Sequence, residues 1–186
     1  MKTRDALLDS AENLCRTRGY EGFSYADLAE DVGIRKASIH HHFPAKTDLA
    51  DALIQRYGNI FFRNLDAIAA RHDRAGDRLR AYVQCYRDSL AGGKMLCLCV
   101  SFGSAPDSLT ALVRDEIASF QKESMAWLKN LFVLGREDCS IDRIDDPVRE
   151  AAACLAQMEG AQLLARAARD VSLFDRSVAA LLVRIR

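Results

Sequence analysis

The chain has 186 residues, nearly half apolar and more than a quarter charged, a balance that supports a buried core and excludes a globally disordered chain. Its 26 basic and 26 acidic residues cancel, so overall charge gives no long-range pull toward nucleic acid and any such site has to be local. The absence of an apolar run of membrane-spanning length or of a leader-like N-terminus predicts a cytoplasmic protein with no membrane partner, in which Cys15, Cys85, Cys97, Cys99, Cys139 and Cys154 are mostly thiols.

Between Pro44, Pro106 and Pro147 the apolar residues recur at helical spacing, which predicts an all-α fold. A first helix runs from a Thr3 cap to Arg18, with Leu7, Ala11 and Leu14 on one face and Gly19 as its stop. Ser24-Tyr25-Ala26-Asp27 reads as a capping box that starts a short second helix, which carries Leu28, Ala29 and Val32 inward and ends at Gly33. The chain restarts after Ile34 as a helical segment containing Ile39. Beyond Pro44, Leu49, Leu53, Tyr57, Ile60, Phe61, Leu65 and Ile68 repeat at three- and four-residue steps, so a long amphipathic helix of roughly 22–25 residues is expected to join an N-terminal head rigidly to a body. Further helices are expected at about 77–91, 94–105, 108–134, 146–169 and 173–185, divided by Gly92-Gly93, by Pro106, by the polar run from Gly135 to Asp145 and by Asp170 to Ser172, with Ser172 capping the last.

The segment around Gly33 has the parts of a helix-turn-helix: a small residue, Ala29, at the close approach, a turn glycine, and Leu28, Val32, Ile34 and Ile39 to pin the second helix to the first. With that core face assigned, Lys36, Ala37, Ser38, His40 and His41 fall on the exposed start and side of the second helix, where base edges and phosphates would be reached. Ala37 suits a thymine methyl, and Lys36 a guanine or a phosphate. Lys46 and the helix start behind Pro44 would meet the DNA backbone. The stretch from Arg35 to Lys46 contains no Asp or Glu, which supplies the local positive field that the whole chain lacks. His40-His41-His42 is no metal site, because neighbours on a helix point about 100° apart and three imidazoles in a row cannot converge on one ion.

Thr3 to Leu49, above all Gly33-Ile34-Arg35-Lys36-Ala37-Ser38-Ile39-His40-His41-His42-Phe43-Pro44-Ala45-Lys46, resembles the DNA-binding domain of the TetR (tetracycline-repressor) family over about a quarter of the chain. The resemblance implies a three-helix head over 1–47 and an antiparallel helical body over 48–186 for ligand binding and dimerisation. It also implies a homodimer, most simply a repressor, that holds a palindromic double-stranded DNA operator and releases it when a small-molecule effector enters the body. Carried over by position, Ser24 and Tyr25 would touch phosphates, Lys36, Ala37, Ser38 and His41 would face the groove, and Lys46 would clamp the backbone. The chain departs from the family pattern at two places. Arg35 stands where Ser or Thr caps the recognition helix, giving up a cap of roughly 0.5–2 kcal/mol for an added cation. His40 stands where Tyr is common.

In the body, Tyr82, Tyr86, Phe102, Phe120, Trp127 and Met158, with Gln162 as a polar orienting group, are either packed core or, as the resemblance implies, the lining of an effector cavity. Asp146-Pro147 starts an alanine-rich helix whose small side chains permit close helix approach. Together with the final helix it resembles the family's dimer interface. Cys97 and Cys99 leave open an alternative, a regulator that senses oxidation or electrophiles, with Lys94 near enough in sequence to favour a thiolate. A third alternative is a helical interaction protein whose head reads no DNA. No phosphate-cradling loop, paired-cysteine metal motif or nucleophile with its base is present in the sequence, so neither an enzyme nor a cofactor is expected.

Overall fold

The computed structural model describes residues 3–104 and 106–186, and among these the regular elements are helices, with one isolated antiparallel bridge between Ile141 and Ile185. The α-helices are α1 (Thr3–Arg18), α2 (Tyr25–Val32), α3 (Lys36–His42), α4 (Lys46–Arg71), α5 (Ala75–Ser89), α6 (Leu98–Gly103), α7 (Ala111–Glu137), α8 (Pro147–Ala168) and α9 (Val171–Leu182). The all-α expectation and the order of the helices hold.

Several boundaries differ from the spacing by a few residues, and three of the differences have a plain local reason. Where a helix is expected from residue 94, Ala91, Gly92 and Gly93 all have positive φ, and the amides of Lys94 and Met95 fold back onto the carbonyl of Leu90. Helix thus begins only at Leu98 and is six residues long, while residue 105, the last of the expected segment, lies outside the described residues. Gly135 does not stop α7, which continues to Glu137. A Cβ there would sit 2.7 Å from Ile141 Cδ1, so this glycine serves a close approach inside the helix. The cap of α9 is Asp170, not Ser172. Arg169 turns left-handed at φ 53° to end α8, which leaves Asp170 as the extended residue between the two helices, and its carboxylate accepts the Ser172 amide at 2.9 Å.

The chain forms two compact units. The first comprises the chain up to Ile60 and Leu98–Ser119. Its core is built by Leu7, Leu8 and Ala11 of α1, Leu28 of α2, Ile39 of α3 and Leu49 and Leu53 of α4, all fully or almost fully buried. Helix α6 lies against α1, and Phe102 meets Tyr20 with ring centroids 5.4 Å apart. Arg56 of α4 reaches Asp9 at 2.7 Å and Glu12 at 2.9 Å, tying α4 to α1. The second unit comprises Phe61–Cys97 and Phe120–Arg186. Here α8 and α9 pack together and α5 packs on both, around Tyr82, Leu128, Phe132, Met158 and Phe174.

Candidate nucleic-acid interface

The interface is built from α2 and α3, helices of eight and seven residues that are too short to persist alone and depend on their ends and on what they bury. The box at the start of α2 closes as the spacing predicts. The Ser24 hydroxyl accepts from the amides of Ala26 and Asp27 at 3.2 and 3.4 Å, and Asp27 Oδ2 accepts the Ser24 amide at 2.8 Å. Ser24 Oγ also donates to Asp27 Oδ2 at 2.6 Å, and these two bonds, hydroxyl first, hold the Asp27 carboxyl below the usual carboxylate range. At the other end Gly33 adopts φ 73° and donates to the carbonyls of Ala29 and Glu30, the left-handed turn that a side chain would strain.

Arg35 stands at the N-cap of α3 and makes no side-chain capping bond, as the departure from Ser or Thr implies. The helix is anchored by Ile39, its one buried residue, and by Phe43 just beyond it. Lys36, Ala37, Ser38, His40 and His41 are therefore exposed together, with Arg35 and Ser24 also open to solvent. His40 Nδ1 lies 3.1 Å from the Pro44 carbonyl, with its ring edge-on to Tyr25 at 5.0 Å, and the rings of His41 and His42 lie 5.5 Å apart. Among the described residues no group of three His, Cys, Asp or Glu side chains is arranged to hold a metal ion.

Two of the residues expected to meet phosphates are turned inward. The Tyr25 hydroxyl lies 2.9 Å from the Phe43 carbonyl and 2.7 Å from the Ala45 carbonyl, and burial, with Asp48 nearby, pushes it up to about 12. Lys46 donates to the carbonyls of Tyr20 and Phe23, both at 2.5 Å. Its ammonium sits 4.6 Å from the Tyr20 ring centroid and 4.3 Å from that of Phe23, and burial lowers its pKa. Spacing alone misses this because it cannot see that the chain folds back to bring two bare carbonyls under the lysine. Conversely, the fold brings Arg4 over the Phe43 ring at 5.2 Å, a cation at the C-terminal end of α3 whose only sequence signal is its place in the first turn of α1.

Of the residues expected in the body, Tyr82, Tyr86, Phe120, Trp127, Met158 and Gln162 fall in the second unit, whereas Phe102 falls in the first. Tyr82 stacks on Trp127 at 5.5 Å and meets Tyr86 at 5.1 Å, and Phe120 meets Phe61 at 4.9 Å. Gln162 is fully buried and engaged at both ends of its amide. Its oxygen accepts the Cys97 amide at 2.8 Å, and its nitrogen donates to the Tyr86 carbonyl at 2.8 Å and to Ser89 Oγ at 2.7 Å. Cys97 and Cys99 are buried, while Cys139 is the exposed cysteine.

A capped short helix, a left-handed glycine turn and a second short helix that buries one residue and offers the rest are the parts of a helix-turn-helix, and they define this chain as a DNA-binding transcriptional regulator. Residues 7–53 match the family model of the bacterial regulatory proteins of the tetR family. A TetR-family transcriptional regulator from Agrobacterium tumefaciens superimposes with a TM-score of 0.93 and 30% identity, over 98% of this chain and 97% of that one. The chain belongs to the TetR family. It is also 24% identical to the HTH-type transcriptional repressor NemR of Escherichia coli, over 95% of this chain and 90% of the relative. The reduced form of NemR superimposes with a TM-score of 0.85 at 24% identity, over 99% of this chain and 97% of that structure. No helix among the described residues is long and apolar enough to cross a membrane.

Proposed function

We propose that this chain is a repressor that reads a palindromic operator as a homodimer through the exposed surface of α3, and that a small molecule bound in its body releases the DNA. The observation that carries the reading is how little of α3 is buried. Because Ile39 is the helix's one buried residue, Lys36, Ala37, Ser38, His40 and His41 are all free to enter a major groove, with Ser24, Arg35 and Arg4 placed for the flanking phosphates. The repressor names of the relatives support the sign of regulation. In this reading residues 1–47 read DNA and 48–186 carry dimerisation and effector binding.

The dimer is assigned to α8 and α9. Beyond the residues these helices bury, they expose Ala152, Ala153, Ala156, Leu163 and Leu164 on α8 and Ala179, Ala180 and Val183 on the last turns of the chain. Leu164 is 57% exposed and Val183 77%, apolar surface that a second copy would cover. Selection of bound sites from random duplexes tests the whole reading. A palindrome with half-sites one turn of DNA apart, about 34–36 Å between recognition helices, is the expected result. Selection of no site, or of an asymmetric one, would overturn it. Lys36→Ala should weaken the selected site at one base pair or reduce the salt dependence by about one unit, according to whether the lysine meets a base or a phosphate.

A further inference from the structure

We propose that the ligand of the body is an organic cation, an amine or quaternary ammonium carrying an aromatic or apolar group, held in the second unit by the Glu159 carboxylate and the rings around Tyr82 and Trp127. The proposal rests on the reading of the body as an effector site and gives that effector a charge. Six rings of the second unit run in unbroken contact. Phe62 meets Phe120 at 5.3 Å, Phe120 meets Phe61 at 4.9 Å, Phe61 meets Tyr86 at 6.0 Å, Tyr86 meets Tyr82 at 5.1 Å, and Tyr82 stacks on Trp127 at 5.5 Å. Tyr82, Tyr86 and Phe120 are buried, but Phe61, Phe62 and Trp127 are only partly so. The cluster therefore keeps aromatic surface that the chain itself does not cover.

Glu159 stands beside these rings with a charge that nothing on its own helix answers. It precedes Gln162 by one turn of α8, and Gln162 donates to the carbonyl of Tyr86, which Tyr82 precedes by one turn of α5. Burial first, then the nearby Cys154, Cys97 and Glu159 groups, push the Tyr82 phenol up, which places the carboxyl within electrostatic reach of that ring. Glu159 Oε1 is buried with no hydrogen-bond partner among the described residues, and burial raises the carboxyl above its usual range. The residues one turn away on α8, Leu155, Ala156, Gln162 and Leu163, carry no charge. Ser124 adds a second unmatched atom. Its Oγ is buried without a hydrogen-bond partner, on the face of α7 that carries Phe120 one turn before it and Trp127 one turn after. A buried carboxylate oxygen left unmatched is costly and calls for a partner. A cation supplies the charge that Glu159 lacks, and aromatic faces attract the same positive group, whereas an anion would be repelled by both.

The test uses the full chain and two probes that share a benzyl group and differ in the charge of a tetrahedral head, benzyltrimethylammonium and phenylmethanesulfonate. Trp127 is the chain's single tryptophan, so its fluorescence reads binding at the cluster. The cation should bind about tenfold tighter than the anion or better, and Glu159→Gln, nearly the same in shape, should cut the cation's affinity about tenfold while the anion's changes less than about twofold. Glu159→Asp keeps the charge and should keep the preference for the cation, and circular dichroism checks that each variant is folded. Benzyltrimethylammonium should also release the selected operator from the wild-type chain and not from Glu159→Gln. Equal affinity for the two probes, binding of neither, or a cation affinity unchanged in Glu159→Gln overturns the proposal. So does a Glu159→Gln chain that dimerises less well and binds both probes as before, because the carboxylate would then answer a cation of the second copy. If the wild-type chain selects no duplex, the regulator reading fails, and the preference between the two probes still decides the ligand.

Discussion

Helices α2 and α3 and helices α8 and α9 are held in place by different physical means. The first pair has eight and seven residues and buries Tyr25, Leu28 and Ile39. Its geometry rests on a capping box, a left-handed glycine and two side-chain ties to backbone carbonyls. The second pair has 22 and 12 residues and buries Ala151, Cys154, Leu155, Met158, Ala161 and Ala165 on one side and Phe174, Val178 and Leu181 on the other. Stability there is spread over apolar area, to which polar ties such as Gln157 to the Ser177 carbonyl at 2.7 Å and Arg184 to Glu150 at 2.9 Å are added. Orientation in the first region can therefore be lost with little change in total burial, whereas in the second region large losses of burial are needed.

The contrast is sharpest at Phe132, fully buried in the core of the second unit. Phe132→Ala should cost about 3–5 kcal/mol in denaturant unfolding, the largest effect expected here. A loss under about 1 kcal/mol would mean that the second unit is not held by packed area.

In the first region the corresponding weak point is a glycine. A Cβ on Gly22 would lie 2.1 Å from the carbonyl oxygen of Arg18 and 2.8 Å from its carbonyl carbon, backbone atoms that cannot swing aside. Gly22→Ala should cost about 2–3 kcal/mol by forcing the turn open, and it should displace the start of α2 with it. The check is denaturant unfolding paired with operator titration. Stability close to wild type together with normal operator affinity would break the comparison, because it would show that the turn ahead of α2 tolerates movement.

The same division explains what the sequence disclosed. The limits of α1, the Ser24–Asp27 box, the Gly33 turn and the exposure of Lys36, Ala37 and Ser38 depend on residues within a few positions of one another, and each was legible from spacing and cap chemistry. The inward ties of Lys46 and Tyr25 were not legible, because their partners lie about twenty positions away and are backbone carbonyls, which carry no sequence signal. Gln162 shows the same limit in the body, since its three partners come from Tyr86, Ser89 and Cys97. Phe102 looked like any other body aromatic, yet it packs on Tyr20 because α6 lies against α1.

The finest test of the comparison lies at Ser24 and Asp27. Ser24→Ala removes the hydroxyl that caps α2 and should cost about 1 kcal/mol, read by denaturant unfolding. Its effect on pH dependence has a definite sign. The Asp27 carboxyl titrates below its usual range because it accepts from the Ser24 hydroxyl first and the Ser24 amide second, with Arg18 Nη1 adding charge at 3.2 Å. A carboxyl lowered in the folded state binds its proton less readily there than in the unfolded chain, so its contribution is fully present above the unfolded value of about 3.9 and is lost as pH falls through the folded value. Alanine at position 24 keeps the amide and removes the larger cause. The Asp27 titration followed by NMR should then move upward toward the ordinary carboxylate value without reaching it, and the acid-side loss of stability should become shallower. If the wild-type Asp27 already titrates at the ordinary value, the box does not hold charge in solution, and the start of α2 is fixed by the Lys46 and Tyr25 ties without it.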